Sequence, residues 1–332
     1  MAETAAAEMM RLLWPGAMVP QVIRVAAELG LADEMAGGAK SAEDLAKATH
    51  THGPSLARLL RALASVGVFA QDEDGRYRQT PLSDILRRDN PETLRPWALA
   101  QSAHFFWRPM GELGAAVRSG QPPFEHLYGA PFFEYMAAHP EDAAVFNGAM
   151  SSSATHTAAI VGAYDFSKFD CVVDVGGGRG ALLAAILAAH PKLRGILYDL
   201  PEVTAGAAAL RTKSLDERCK IVSGDFFQAV PAGADGYLLK GILHDWNDEA
   251  ALRILKNCRR AMHPGGTLLL AETVLDAAAR GDGALMDMLM MALTSGRERT
   301  EGEFAALLQE AGFALVQVIR TASGAALVES RA

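Results

Sequence analysis

Cysteine is scarce in this 332-residue chain, which has three: Cys171, Cys219 and Cys258. Their wide spacing matches neither a metal knuckle nor a CxxC redox pair, and an odd count leaves at least one thiol unpaired. All three read as buried free thiols in a reducing compartment. Long hydrophobic runs are also missing. Half the residues are hydrophobic, yet none of the runs approaches the ~20 apolar residues needed to span a bilayer. The N-terminus carries Glu3 and Glu8 in place of a basic-then-apolar leader, so neither export nor a membrane span is expected and the cytoplasm is. Nor is there a positive excess. Against 39 Asp and Glu stand 31 Lys and Arg, a net charge of −8 that argues against a polyanionic partner. Internal repeats and low-complexity linkers are absent, and the length suits two domains with substantial cores.

Glycine, by contrast, is concentrated where it can act. Cys171-Val-Val-Asp-Val-Gly-Gly-Gly-Arg-Gly180 is a β-branched strand running into a glycine-rich turn. The helix that follows, Ala181 to His190, repeats apolar residues at i, i+3, i+4 (Leu182, Leu183, Ile186, Leu187) and so packs one face on a sheet. Gly176, Gly177 and Gly178 let the backbone turn sharply and approach a ligand where a Cβ would collide. The next extended segment, Gly195 to Asp199, ends in an acid placed for ribose hydroxyls. Together these predict a nucleoside-containing cofactor across the carboxyl edge of a parallel sheet. Gly176, Gly178 and Ala181 also satisfy the relaxed dinucleotide fingerprint, so the glycines alone do not separate NAD from S-adenosylmethionine. Three features favour the latter. Asp174 stands inside the strand, where an acid needs polar work to do. The segment Lys220 to Phe227 closes with Asp225 and Phe226, able to accept from an adenine amino group and cover its ring. A fourth strand, Tyr237 to Lys240, runs into Gly241-Ile-Leu-His-Asp-Trp-Asn-Asp-Glu249.

The first third has a different pattern. Ser41 is a candidate N-cap followed by Glu43 and Asp44. Leu56, Leu59, Leu60, Leu63 and Val66 share a helical face that Gly67 can close. Val68 to Ala70 and Arg76 to Thr80 flank the turn Asp72-Glu-Asp-Gly75, a hairpin. Helices followed by a hairpin make a winged helix, a shape often used on DNA. Residues 41–90 hold seven basic and seven acidic side chains, whereas a DNA-binding face needs a basic excess. No nucleic-acid partner is therefore expected. From about 92 to 165 the chain reads as helices broken at Pro109, at Gly120 to Pro123 and at Gly129 to Pro131.

These motifs resemble the class I S-adenosylmethionine-dependent O-methyltransferases of the plant and bacterial small-molecule type. The pieces are VDVGGGRG at 173–180, YDLP at 198–201, GDFF at 224–227, LLKGILHDWNDE at 238–249, HPGG at 263–266 and GRERTEGEF at 296–304, in the family's order. The resemblance implies a Rossmann-like, doubly wound, mostly parallel α/β sheet over 106–332. It adds a closing antiparallel strand near Ala325 to Glu329. Residues 1–105 are implied to form a mainly helical winged-helix dimerisation domain, and 106–165 to line the acceptor pocket.

Site residues carry over position by position. Asp174, Gly176, Gly177, Gly178, Asp199, Leu200, Gly224, Asp225, Phe226 and Lys240 are expected to hold S-adenosylmethionine. Phe106, Trp107, Met110, Met150, Met290, Met291 and Thr294 are expected to face an aromatic or polyketide-like acceptor, while Leu285, Met288, Leu289 and Ala292 read as core. The chain departs from plant members at Met110, where they place a Trp, and at Ala154, where they use a Ser, so their acceptor pocket does not transfer. His244, following the fourth strand, is the implied general base. A phenol has a pKa of about 10 and reacts poorly until its proton leaves. Glu272, ending the fifth strand, and Glu298 are the implied acids that orient the base; an ion pair with Arg297 or Arg299 is the ordinary alternative for Glu298. The histidines show no ligand spacing, so no metal is expected. The resemblance predicts a homodimer that methylates a hydroxyl. Three alternatives stand: an N-methyltransferase or non-methylating relative, an NAD-dependent oxidoreductase, and a ligand-sensing DNA-binding regulator.

Overall fold

Leu56, Leu60 and Leu63 recur at helical spacing, and in the computed structural model they are the buried face of the helix Gly53–Ser65. The structure describes residues 4–152, 154–276, 283–322 and 324–332, without the side chains of Arg11 and Ala154, so the departure expected at Ala154 lies outside the described side chains. The chain divides into two units, one of 1–107 with 148–152 and one of 108–147 with 153–332.

In the first unit Ser41 caps the helix Ala42–Ala48, its hydroxyl accepting the Asp44 N–H at 3.1 Å. The hairpin forms as strands β1 (Phe69–Gln71) and β2 (Tyr77–Gln79), antiparallel with Phe69 opposite Gln79. Phe69 and Tyr77 join Leu31, Leu45 and the three leucines in one core. Val66 departs from expectation and is exposed. The helix stops at Ser65, and Gly67, in the left-handed region at φ +76°, turns the chain away before Val66 can complete the stripe. Pro109 also departs: it lies inside the helix His104–Gly111 instead of breaking it. One proline removes a single i→i−4 bond, and here Pro109 is buried.

The second unit carries the large sheet. Its strands are β3 (Cys171–Val175), β4 (Arg194–Asp199), β5 (Cys219–Ser223), β6 (Gly236–Lys240) and β7 (Thr267–Glu272). A two-residue pair, β8 (Val274–Leu275) with β9 (Arg299–Thr300), lies beyond β7, and β10 (Ala314–Arg320) and β11 (Ala326–Arg331) complete the set. The order across the sheet is β10-β11-β7-β6-β3-β4-β5. The strands β3 to β7 pair in parallel and β11 antiparallel to β7. Tyr237 and Leu239 enter the core on one face and Leu238 the core on the other, the period-2 alternation of a strand buried on both sides. Chain order reverses between β3 and β6, so the turns after them meet at the carboxyl edge, where ligands bind in open α/β sheets.

Of the three thiols, all free, Cys258 alone is fully buried. Cys171 begins its strand and Cys219 lies on the edge strand β5, so both are half-covered. No described helix is long and apolar enough to cross a membrane.

Candidate active site

The glycine turn is built as its composition requires. Gly176 and Gly178 sit at φ +67° and +62°, a backbone that L side chains rarely adopt. Beneath the turn lies Asp174, 1% exposed, with neither carboxylate oxygen hydrogen-bonded among the described residues. Burial holds its pKa up at about 7, although Lys240 pulls the other way. An orphaned buried carboxylate under a turn where a Cβ on Gly176 would strike Ile242, and one on Gly177 would strike Asp174 itself, fits a polar ligand seated there. Asp199 closes the far side, its Oδ2 accepting the Gly178 N–H at 2.7 Å and its Oδ1 the Leu200 N–H at 2.7 Å. Lys240, at the end of β6, has its pKa lowered by burial against the pull of Asp174 and Glu272.

The GDFF segment is pinned from the helix Asp248–Ala261: the Asn257 amide donates to the Phe226 carbonyl at 2.7 Å and Arg253 Nε to the Phe227 carbonyl at 3.0 Å. Asp225 accepts the Phe227 N–H, and the Phe226 ring lies near Gly176. Asp174, the three glycines, Asp199, Leu200, Gly224, Asp225, Phe226 and Lys240 therefore all lie on the turns and strand ends of this one edge.

His244 sits in the short 3₁₀ turn Leu243–Asp245 that β6 feeds. The helix that follows is capped by Asn247, so capping is not the histidine's task. Its Nδ1 is 2.9 Å from Glu298 Oε1. In the neutral ring, a proton on Nδ1 directed at the carboxylate leaves a lone pair on Nε2. Glu272 acts differently from expectation: its Oε1 accepts the N–H groups of Ile242 (3.0 Å) and Leu243 (2.8 Å), holding the turn's backbone instead of the imidazole. The β8–β9 pairing puts the two glutamates side by side, since each lies a residue or two before its short strand.

The arginines flanking Glu298 are committed elsewhere. Arg297 pairs with Glu303 at 2.7 Å and Arg299 with Asp248 at 2.8 Å, so the ordinary ion pair is not what Glu298 makes. Sequence reasoning missed Asp245, whose Oδ1 is 3.7 Å from His244 Nε2. Its position next to His244 was the available signal. Burial would lower the imidazole's pKa, but Asp245, the Glu298 hydrogen bond and Glu272 outweigh it and push it up to about 10. Burial in turn raises Asp245 to about 7 and lifts Glu272. Ligand atoms of His244, Glu272 and Glu298 lie within 4.8 Å of one another, a spacing a cation could share; one oxygen of each glutamate is already taken by the bonds just described.

The acceptor candidates divide. Met110, Met290, Met291 and Thr294 lie in the second unit; Phe106, Trp107 and Met150 belong to the first. Met290 is buried, and the Thr294 hydroxyl donates to the Met290 carbonyl and accepts the Gly296 N–H, which ends the helix Gly283–Leu293. Met110 and Met291 are half-buried. Leu285, expected in the core, is 71% exposed, while Ala292 and Leu293 are buried; the packed face of that helix is rotated toward its C-terminal end.

Known proteins place this edge in context. The family described as the O-methyltransferase domain matches residues 110–314, and the O-methyltransferase dimerisation domain matches 12–89. A phenazine O-methyltransferase, PhzM of Lysobacter antibioticus, is 43% identical over 95% of this chain and 93% of its own. An O-methyltransferase of neocarzinostatin biosynthesis (NcsB1), solved with S-adenosylmethionine and 2-hydroxy-5-methyl naphthoic acid, superposes with a TM-score of 0.82 at 36% identity, covering both chains fully. A further relative has another activity: the aclacinomycin 10-hydroxylase RdmB of Streptomyces purpurascens, 39% identical over 90% of this chain and 82% of its own. With both domain matches in chain order and relatives alike over nearly the whole length, this chain belongs to the O-methyltransferase family, dimerisation domain included.

Proposed function

We propose that the protein transfers the methyl group of S-adenosylmethionine to a hydroxyl of an aromatic or polyketide-like small molecule, with His244 as general base. The His244–Glu298 hydrogen bond at the carboxyl edge carries this reading. When bound, S-adenosylmethionine supplies a methyl on a sulfonium, ready for in-line displacement by an oxygen nucleophile. The chain's own part is to hold that nucleophile and take its proton. Nε2 accepts the phenolic proton while Glu298 keeps Nδ1 protonated and steadies the imidazolium. An imidazole raised to about 10 and a phenol of pKa about 10 share a proton on nearly even terms, so an imidazolium–phenolate pair forms without a strong base. No step needs a metal.

Asp199, Leu200 and the glycine turn take the nucleoside in this reading, Asp225 and Phe226 the adenine, and Lys240 with Asp174 the polar end. Met110 and Met291 contact the acceptor in this reading, while Phe106, Trp107, Met150, Met290 and Thr294 rest on the family resemblance alone. S-adenosylhomocysteine should raise the melting temperature, because it binds the folded state, whereas NAD at the same concentration should not. Asp199→Ala should shrink that response by removing charged hydrogen bonds worth about 1.5–3 kcal/mol each. A shift with NAD alone would overturn the cofactor assignment. Incubation with labelled S-adenosylmethionine and a panel of phenols, followed by mass spectrometry, tests the reaction itself. The hydroxylase relative keeps a non-methylating reading in play; product masses lacking a methyl would favour it.

Residues 1–105 serve as the dimerisation platform in this reading. The helices Ala5–Leu13 and Met18–Leu29 expose Met9, Met10, Leu12, Leu13 and Met18, and the link between them exposes Trp14, an apolar surface larger than scattered single residues. Light scattering at micromolar concentration should give a dimer; a monomer there, or a salt-sensitive complex with duplex DNA, would contradict the assignment.

A further inference from the structure

Arg299 is 1% exposed, and a guanidinium so buried is costly unless every donor is used. Here all five N–H groups have acceptors. Nε and one Nη2 hydrogen reach Asp248 Oδ1 at 2.9 and 2.8 Å, and the other Nη2 hydrogen reaches the Trp246 carbonyl at 2.8 Å. Nη1 reaches the Leu243 carbonyl at 2.8 Å and the Arg297 carbonyl at 3.4 Å. Leu243 and Trp246 bracket His244 and Asp245, so one rigid fork grips the turn on both sides of the base. The same fork belongs to the residue after Glu298, whose carboxylate holds His244 Nδ1. The Glu298 N–H is itself tied to Asp287 Oδ1 at 2.8 Å. Imidazole and carboxylate thus come from two loops that Arg299 fastens together.

We infer that Arg299 is a positioning residue for the base: it sets the register between the His244 turn and the Glu298 loop, and thereby the aim of Nε2. The inference rests on the base reading given above. Buried and with every donor used within the protein, Arg299 has none left for an acceptor or cofactor, so its effect passes through His244. A lysine keeps the charge but cannot reach two carbonyls and a carboxylate at once. Small misplacement of a reacting group costs up to about 10²-fold in rate.

The test is a double-mutant cycle between Arg299→Lys and His244→Ala, run with the phenol that wild type methylates fastest, together with S-adenosylhomocysteine affinity and the ¹⁵N imidazole resonance of His244, identified by its loss in His244→Ala. In the wild-type background Arg299→Lys should cut kcat by roughly 10- to 100-fold, leave S-adenosylhomocysteine affinity within about twofold and shift the His244 resonance. In the His244→Ala background it should cost less than about twofold, since a missing base cannot be misaimed. Should Arg299→Lys fail to fold, Asp248→Asn, at a side chain 59% exposed, loosens the same fork and is read through the same cycle. Wild-type kcat in Arg299→Lys, or an equal loss in both backgrounds, overturns the positioning role. Full turnover in His244→Ala alone overturns the base reading instead, so the two failures are distinguishable. If no phenol in the panel reacts, the resonance decides: an unmoved His244 signal in Arg299→Lys rejects the inference.

Discussion

Replacing His244 with Ala is expected to cut turnover by roughly 10²–10⁴, the usual worth of a positioned general base, while S-adenosylhomocysteine binding stays near wild type. The two effects separate because the residues proposed to hold the nucleoside lie on the turns after β3, β4 and β5, whereas the proposed base hangs from the turn after β6. The loss should shrink for acceptors with more acidic hydroxyls, because a phenol already ionised in solution has no proton left to give. The wild-type profile has its own sign. A folded-state imidazole held up at about 10 is protonated near neutrality, so turnover on a weakly acidic phenol should climb as pH rises from 7 toward 10, with an acid limb above that of an ordinary imidazole. Glu298→Gln removes the hydrogen-bonded anion and should move that limb toward lower pH, at a smaller cost in rate than loss of the imidazole. Steady-state kinetics across pH on one phenol would decide. Undiminished turnover in His244→Ala would leave proximity alone to explain the chemistry.

How far the sequence reveals this site depends on how local each feature is. The strand–turn–helix around Gly176 is readable because the β-branched run of Cys171–Val175, the glycines and the helical stripe after Ala181 are contiguous. His244, Glu272 and Lys240 follow from the same logic, each ending or following a strand whose carboxyl end must lie at the ligand edge. What was not legible depends on which loops meet. Glu272 is marked by its position as an acid at that edge, but nothing local says that it will hold the backbone amides of Ile242 and Leu243. Arg299 looks like the counter-ion of its neighbour Glu298, yet it points to a turn more than fifty residues earlier in the chain. The pairing that brings these segments together, β8 with β9, is two residues on each side and carries no periodic signal. Local patterns also mislead at element ends, where Val66 and Leu285 share a helical stripe by spacing but fall outside the packed part of their helices.

Gly296→Ala should produce the second large loss, for a steric reason. A Cβ at Gly296 would fall on the His244 carbonyl oxygen, with the Asp245 carbonyl carbon and the Trp246 nitrogen also inside contact distance. All three obstacles are backbone, so no side-chain rotation relieves them. Neither partner is free to give way: the turn is held by Glu272 and Arg299, and the loop by Asp287 at the Glu298 N–H. Gly296 is outside the left-handed region, so the cost comes from crowding and not from torsion. One side must move by about an ångström, which is worth up to about 10²-fold when it misplaces a reacting group. S-adenosylhomocysteine affinity should change little, because Asp199 and the glycine turn lie on other strands. Gly302→Ala is the control: its Cβ would meet nothing within 4 Å in the helix Glu301–Glu310, and turnover should be unchanged. Equal turnover in Gly296→Ala and Gly302→Ala would mean that the close approach of this loop does not set the position of His244.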